Sequence, residues 1–198
     1  MLLTETYSSG YDIIKESKDG AKGKLKLRGL FQRWNAKNEN GRVYPETIMR
    51  RECDGYQALI SERRAMGELE HPDDPKIHLD RVSHVITELN YDENGDVHGE
   101  LEILTTPCGK ILEELIINGV KIGISSRGVG SLEEVGDYLV VQEDYKMLAF
   151  DVVAEPSTQG AFPERLSEDV IRFINTTKNM KPQNVRKNLT KLIDSYLT

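Results

Sequence analysis

The sequence predicts an α+β fold built on a mostly antiparallel, barrel-like sheet with helices around it, and three observations carry that prediction. Residues 82–89 and 97–104 alternate, in part, between apolar and polar positions on either side of Asn94-Gly95, the pattern of a hairpin closed by a tight turn. Helical spacing occurs in two stretches, 46–64 and 109–118. These sit between strand-like runs without alternating one for one, which disfavours a doubly wound parallel sheet. The 198 residues, 38% of them hydrophobic and 30% charged, suffice for one domain with a well-buried core.

Taken in order, residues 11–14 (Tyr-Asp-Ile-Ile) form a short candidate strand. Residues 21–34 read as a strand with one wet face, because Leu25, Leu27 and Gly29 alternate with Lys24, Lys26 and Arg28. Those cations fit a solvated face better than a binding patch. Asn40-Gly41 marks a turn and Pro45 opens the first helix, whose inner face is Ile48, Cys53, Tyr56, Leu59 and Ile60. Residues 65–72 end it, and Pro72 pushes His71 toward an extended conformation. The second helix presents Ile111, Leu112, Leu115 and Ile116 and stops at Gly119. Residues 120–124 are then expected as a short strand leading into a loop, followed by strands at 138–141 and 146–153. After Pro156 the character changes to turns, a short helix at 167–173, a polar linker and an amphipathic segment at 184–197. The expected division is a domain of residues 1–165 and a basic helical tail of residues 166–198.

Several function classes are disfavoured. A net charge of −7 argues against nonspecific nucleic-acid binding. No apolar run approaches the roughly 20 residues that span a bilayer, and the N-terminus lacks the basic-then-apolar pattern of a secretory signal. Cys53 and Cys108 are isolated, so neither a zinc site nor a disulfide framework is expected, and a reducing, cytosolic setting fits. Neither a phosphate-binding GxxxxGK[ST] nor the dinucleotide glycine fingerprint is present.

Candidate chemistry centres on residues 123–130, Gly-Ile-Ser-Ser-Arg-Gly-Val-Gly. Read alone, this octet fits a polar turn as well as a loop presenting a nucleophilic serine. A serine needs a base within hydrogen-bond reach, oriented by a third group. His98 reads as a surface residue, His84 as a satisfied buried histidine beside Val82 and Ile86, and His78 as a loop residue near Asp73, Asp74 and Asp80. His71 differs because Pro72 pins its backbone. The same histidines and carboxylates could hold a metal, although their spacing matches no helix-borne zinc motif.

Four blocks stand in order: Asn38-Glu39-Asn40-Gly41-Arg42-Val43-Tyr44-Pro45, Gly67-Glu68-Leu69-Glu70-His71-Pro72, Gly123-Ile124-Ser125-Ser126-Arg127-Gly128, and Phe150-Asp151-Val152-Val153 with Pro156-Ser157. Together they resemble the prohead core protein proteases of large tailed bacteriophages, which are themselves similar to the herpesvirus assemblin class of serine proteases. The resemblance implies a herpesvirus-protease-like fold and a serine endopeptidase with Ser125 as nucleophile, His71 as general base and Asp151 as third member, with Asp80 and His84 as rivals for that place. It implies that Ser126 offers a backbone amide, and that Gly128 and Gly130 let the loop approach substrate. Arg127 would either orient the oxyanion hole or pair with an acid such as Glu133.

No metal or organic cofactor is implied. The expected partners are phage scaffold, core and capsid proteins as substrates, and further copies of the chain in a homo-oligomer. Nucleic acid and membrane are not expected partners. The expected location is the host cytoplasm, inside the assembling prohead. Relatives cut after glutamate, so Leu166-Ser167-Glu168 is an expected self-cleavage site that would release the tail with Lys178, Lys181, Arg186, Lys187 and Lys191. The alternatives are a noncatalytic prohead scaffold of the same fold and a metal-dependent hydrolase around His71 and Asp73.

Overall fold

The computed structural model describes residues 2–7, 11–16 and 24–154. The expected tail of residues 166–198, its Glu168 and the boundary at 165 lie outside the described residues. The N-terminal strands are β1 (Leu2–Tyr7), β2 (Tyr11–Glu16), β3 (Lys24–Arg33) and the two-residue β4 (Arg42–Val43). Helix α1 (Glu46–Ser61) leads to β5 (Met66–Glu68), and β6 (Val82–Tyr91) turns into β7 (Asp96–Ile103). Helix α2 (Pro107–Ile117) precedes β8 (Gly123–Val129), β9 (Leu132–Val135), β10 (Tyr138–Val141) and β11 (Lys146–Val153).

Three ladders result. The largest runs β2-β3-β7-β6-β5, the second β1-β8-β11 and the smallest β4-β10-β9. All pairings within the first two are antiparallel, and β4 alone runs parallel to its neighbour. The expected hairpin is β6–β7, closed at Gly95 with φ 94°, a value that glycine adopts without strain. Register stacks Leu27 on Leu101 and Leu101 on Ile86, and all three are buried. On the outer side, Lys26 and Arg28 are not simply solvated: both bond Glu100, at 3.0 and 2.7 Å.

The sheet does not close into a barrel among the described residues. Edge strands β5 and β11 meet through a single parallel bridge, Leu69 to Val152, where a closed barrel requires a continuous ladder. The molecule is a mixed α/β arrangement, mostly strand, with α1 packing Ile48, Met49, Cys53 and Tyr56 into the core. Helix α2 starts at Pro107, two residues before the expected stretch of 109–118, with Thr106 accepting from the Gly109 N–H at 3.1 Å. Burial pushes the Cys53 thiol up to about 12, with Asp54 and Glu52 adding to the effect, so it is a packing residue.

Candidate active site

The octet at 123–130 is not a loop. Residues 123–129 form β8, the middle strand of its sheet, with β1 on one side and β11 on the other. No glycine among these residues has positive φ; among the described residues, those that do are Gly41, Gly95, Gly119 and Gly136. Gly128 and Gly130 face Tyr145 instead of solvent, and a Cβ at Gly128 would lie 2.4 Å from the tyrosine ring. Glycine here admits a bulky aromatic where a side chain would otherwise stand.

Alternation along β8 sends Ser125 and Arg127 to one face and Ser126 to the other. Ser125 stands directly opposite Asp151 of β11, so the two side chains project on the same side about 5 Å apart at Cβ. Arg127 stands opposite Ala149, beside a bulge between Met147 and Ala149, and the small alanine leaves room for the guanidinium to reach Asp151.

His71 enters this pair from the other sheet. After β5, Leu69 bridges to Val152, and Glu70 takes the left-handed conformation at φ 66°, uncommon for a residue with a side chain. Two bonds offset that strain: Glu70 N–H donates to the Val152 carbonyl at 2.7 Å, and its Oε1 accepts from Ala154 N–H at 2.7 Å. The chain is thereby turned so that His71 comes next, with Pro72 buried behind it.

The imidazole spans the gap. His71 Nδ1 lies 2.7 Å from Asp151 Oδ2 and Nε2 lies 2.5 Å from Ser125 Oγ. A carboxylate only accepts, so Nδ1 carries the proton and Nε2 is left to accept from the serine hydroxyl. Ser125 and Asp151 are fully buried and the His71 side chain is 18% exposed. Asp151 Oδ1 also accepts from Glu68 N–H at 2.9 Å. Burial works to raise the Asp151 carboxyl, but hydrogen bonds from His71 and Arg127, the arginine's charge and the Glu68 N–H together hold it below its ordinary value.

Arg127 is the largest fully buried side chain among the described residues. Its Nε donates to Asp151 Oδ2 at 2.7 Å and its Nη2 to Asp151 Oδ1 at 3.3 Å and Glu68 Oε1 at 3.2 Å. Its Nη1 donates to the carbonyls of Asp74 at 3.3 Å and Lys76 at 2.8 Å. A guanidinium has five N–H groups, and these five bonds engage all of them, so none is left for an oxyanion. The reading of Arg127 as an arginine paired with an acid holds, with Asp151 and Glu68 as the acids in place of Glu133, which is exposed on β9. Ser126 sits between Glu5 and Phe150 in the ladder, where the N–H groups of a central strand are spent on its neighbours, so its amide is not a spare donor either. The Ser126 hydroxyl is buried and has no hydrogen-bond partner among the described residues.

The rivals for the third position lie elsewhere. Asp80 is exposed. His84 is buried, its Nε2 donating to the Phe150 carbonyl at 3.0 Å and its Nδ1 accepting from Ser83 Oγ at 2.9 Å. Burial pushes its ring down to about 4, against opposing pulls from Asp151 and the Phe150 carbonyl. The loop residues His71, Asp73, Asp74, His78 and Asp80 do not converge: His78 pairs with Asp74 at 3.3 Å, and Asp73 is exposed. Among the described residues, the acids and histidine whose ligand atoms converge are Asp92, Asp96 and His98 at the β6–β7 turn. Glu68 was not singled out by sequence reasoning. The available signal was Arg127, a cation within an apolar strand, which requires more than one acid when buried.

A family model described as prohead core protein serine protease matches residues 10–169. The chain is 30% identical over 185 residues to the prohead core protein protease of Enterobacteria phage T4, covering 84% of this chain and 86% of that protein. The solved structure of the bacteriophage T4 capsid assembly protease superposes with a TM-score of 0.72 at 29% identity, covering 78% of this chain and 98% of the other. The match spans β8 with Ser125, the His71 turn and β11 alike, and the chain belongs to the prohead core protein serine protease family.

Proposed function

We propose that this protein is a serine endopeptidase in which Ser125 is the nucleophile, His71 the general base and Asp151 the group that orients and charges the imidazole. The observation that carries the reading is the continuous relay of Ser125 Oγ, His71 and Asp151 through hydrogen bonds of 2.5 and 2.7 Å, with the tautomer fixed by the carboxylate. Ser125 Oγ attacks the scissile carbonyl carbon while its proton passes to His71 Nε2. Collapse of the tetrahedral intermediate breaks the C–N bond, and the same proton leaves with the amine. Water then attacks the acyl ester, giving its proton to Nε2; as the ester C–O bond breaks, Nε2 returns that proton to Ser125 Oγ, releasing the acid and free Ser125. Asp151 stays ionised throughout and stabilises the transient imidazolium.

Family membership supports phage scaffold, core and capsid proteins as substrates and the interior of an assembling prohead in the host cytoplasm as the place of action. The protein works there as a homo-oligomer and removes its own tail, residues 169–198, by cutting after Glu168. Mass spectrometry of active protein checks that cut, and a chain that stays full length counts against it.

The test of the site is labelling by a serine-directed phosphonate combined with two substitutions. Ser125→Ala abolishes labelling and lowers proteolysis by about 10⁴- to 10⁶-fold, with the fold retained. Ser126→Ala, on the opposite face of the strand, changes the rate by less than about tenfold. Exchange of these two outcomes overturns the assignment. Absence of labelling in every oligomeric form favours a noncatalytic scaffold of the same fold.

A further inference from the structure

The acid of the proposed triad has an unusual neighbour. A guanidinium bonded to both oxygens of Asp151 cancels much of the negative potential that the acid presents to His71, because opposite charges in contact screen each other's field. An imidazolium beside a neutralised acid is less favoured, and the acid then serves the reaction poorly. The structure supplies a second carboxylate. Glu68 is fully buried, its Oε1 accepts from Arg127 Nη2 at 3.2 Å and from His78 N–H at 2.8 Å, and its own N–H donates to Asp151. Asp151, Arg127 and Glu68 are each 0% exposed, and together they carry one net negative charge.

We propose that Glu68 is a positioning residue for the reaction: its buried carboxylate holds Arg127 in place and restores to the Arg127–Asp151 pair the negative charge that favours an imidazolium at His71. This rests on the reading of Ser125, His71 and Asp151 given above. The other groups facing the cluster do not supply that charge. Arg81 Nε approaches Glu68 Oε2 at 3.5 Å, but its side chain is 36% exposed, so water screens it. His78 Nδ1 lies 3.6 Å from Glu68 and its Nε2 is held by Asp74. On the sheet side, His84 is neutral at working pH for the reason given above. From α1, Tyr56 is buried near Asp151 with its hydroxyl pushed up by burial and by that acid, so it too is uncharged.

The arrangement also ties the base to the nucleophile strand. Arg127 holds the carbonyls of Asp74 and Lys76, and Glu68 holds the N–H of His78, so the loop that follows His71 is fastened to β8 through this one ion cluster.

The test is the pH profile of kcat/KM for peptide cleavage by the full chain. Glu68→Gln keeps the shape and the acceptor oxygen but removes the charge. The acid limb moves to lower pH by about one unit, because His71 loses a proton more readily, and the plateau falls about tenfold through kcat with KM unchanged. The double variant Glu68→Gln/Arg127→Gln again carries one net negative charge, and its limb returns to within about 0.3 unit of the wild type, whatever its loss of folded yield. Limb position does not depend on how much of the sample is folded, so a purely structural role does not reproduce this pattern. The shift persists in a His78→Gln background, which excludes titration of His78 as its source.

A Glu68→Gln limb superimposable on the wild type, or a double variant displaced further than the single, overturns the inference. Where neither variant folds, the side-chain carboxyl carbon of Glu68 is followed by NMR in the wild type: an ionised carboxylate across the pH range in which activity rises supports the inference, and a protonated one overturns it. Retained cleavage in Ser125→Ala instead overturns the underlying assignment of the triad.

Discussion

The two imidazoles near Asp151 have opposite chemistry because their nitrogens face different partners. His71 faces a carboxylate and a hydroxyl, so a proton on its ring meets a counter-charge. His84 faces a carbonyl and a hydroxyl inside the core, and burial pushes it down to about 4 from 6.5. The native state therefore holds His84 neutral while the unfolded chain takes up its proton near pH 6.5. Above that pH the group contributes nothing to the pH dependence. As pH falls from about 6.5 to about 4, stability falls by up to about 3 kcal/mol. Urea midpoints measured between pH 7.5 and 4.5 decline accordingly, and His84→Gln, which keeps a donor for Phe150 but does not titrate, flattens the decline. An unchanged slope in the variant would sink this account. His84 was legible in the sequence as a satisfied buried residue from its place beside Val82 and Ile86. The partners of Arg127 were not, because they come from positions 24 and 59 residues away, and nothing in the local pattern ties Arg127 to Glu68 or Asp151.

Strand β5 is only three residues long, yet it sets where His71 stands, and its Gly67 is closely packed against His84 of β6 and Phe150 of β11. A Cβ at Gly67 would fall 2.1 Å from His84 Nε2 and 2.2 Å from the Phe150 carbonyl. Both are held in place by their mutual bond, and one is backbone, so neither yields cheaply. Gly67→Ala therefore pushes β5 off β11, breaks the His84–Phe150 bond and draws His71 away from Asp151. The expected cost is about 2–4 kcal/mol in stability with a loss of phosphonate reactivity at Ser125 in the protein that remains folded. Equal reactivity and an unchanged urea midpoint would show that the contact is slack. Strands β3, β6 and β7 and both helices were legible because alternation or helical spacing runs through them, and β2, β10 and β11 because they contain short apolar, β-branched or aromatic runs. Strands β4, β5 and β9 are two to four residues long, too short for a period to emerge. The octet misled for another reason: glycine and serine have turn chemistry, and here two flanking ladders and the Tyr145 ring override it.

Ser125 and Asp151 belong to one sheet and His71 to the end of another, so the site is only as rigid as the three-stranded ladder that carries two of its members. In that ladder β8 is central only because β1 covers its other edge, with Thr6 opposite Ser125 and Leu3 opposite Gly128. Leu3 is fully buried and belongs to the hydrophobic core, which anchors a strand that the sequence pattern did not reveal, since residues 1–19 carry no sustained period. The long-range pairing of a chain terminus with a strand more than a hundred residues later leaves no local trace. Its energetic consequence is measurable. Leu3→Ala removes a buried leucine from the core and lowers stability by about 2–5 kcal/mol. Deletion of residues 1–7 removes that contact and the whole β1–β8 ladder, and leaves the strand bearing Ser125 as an open edge. Urea midpoints fall in the order wild type, Leu3→Ala, deletion, and the rate of phosphonate labelling at Ser125 falls in the same order. If the deletion labelled as fast as the wild type, β11 alone would suffice to hold Ser125 in line with His71, and β1 would serve the core without serving the site.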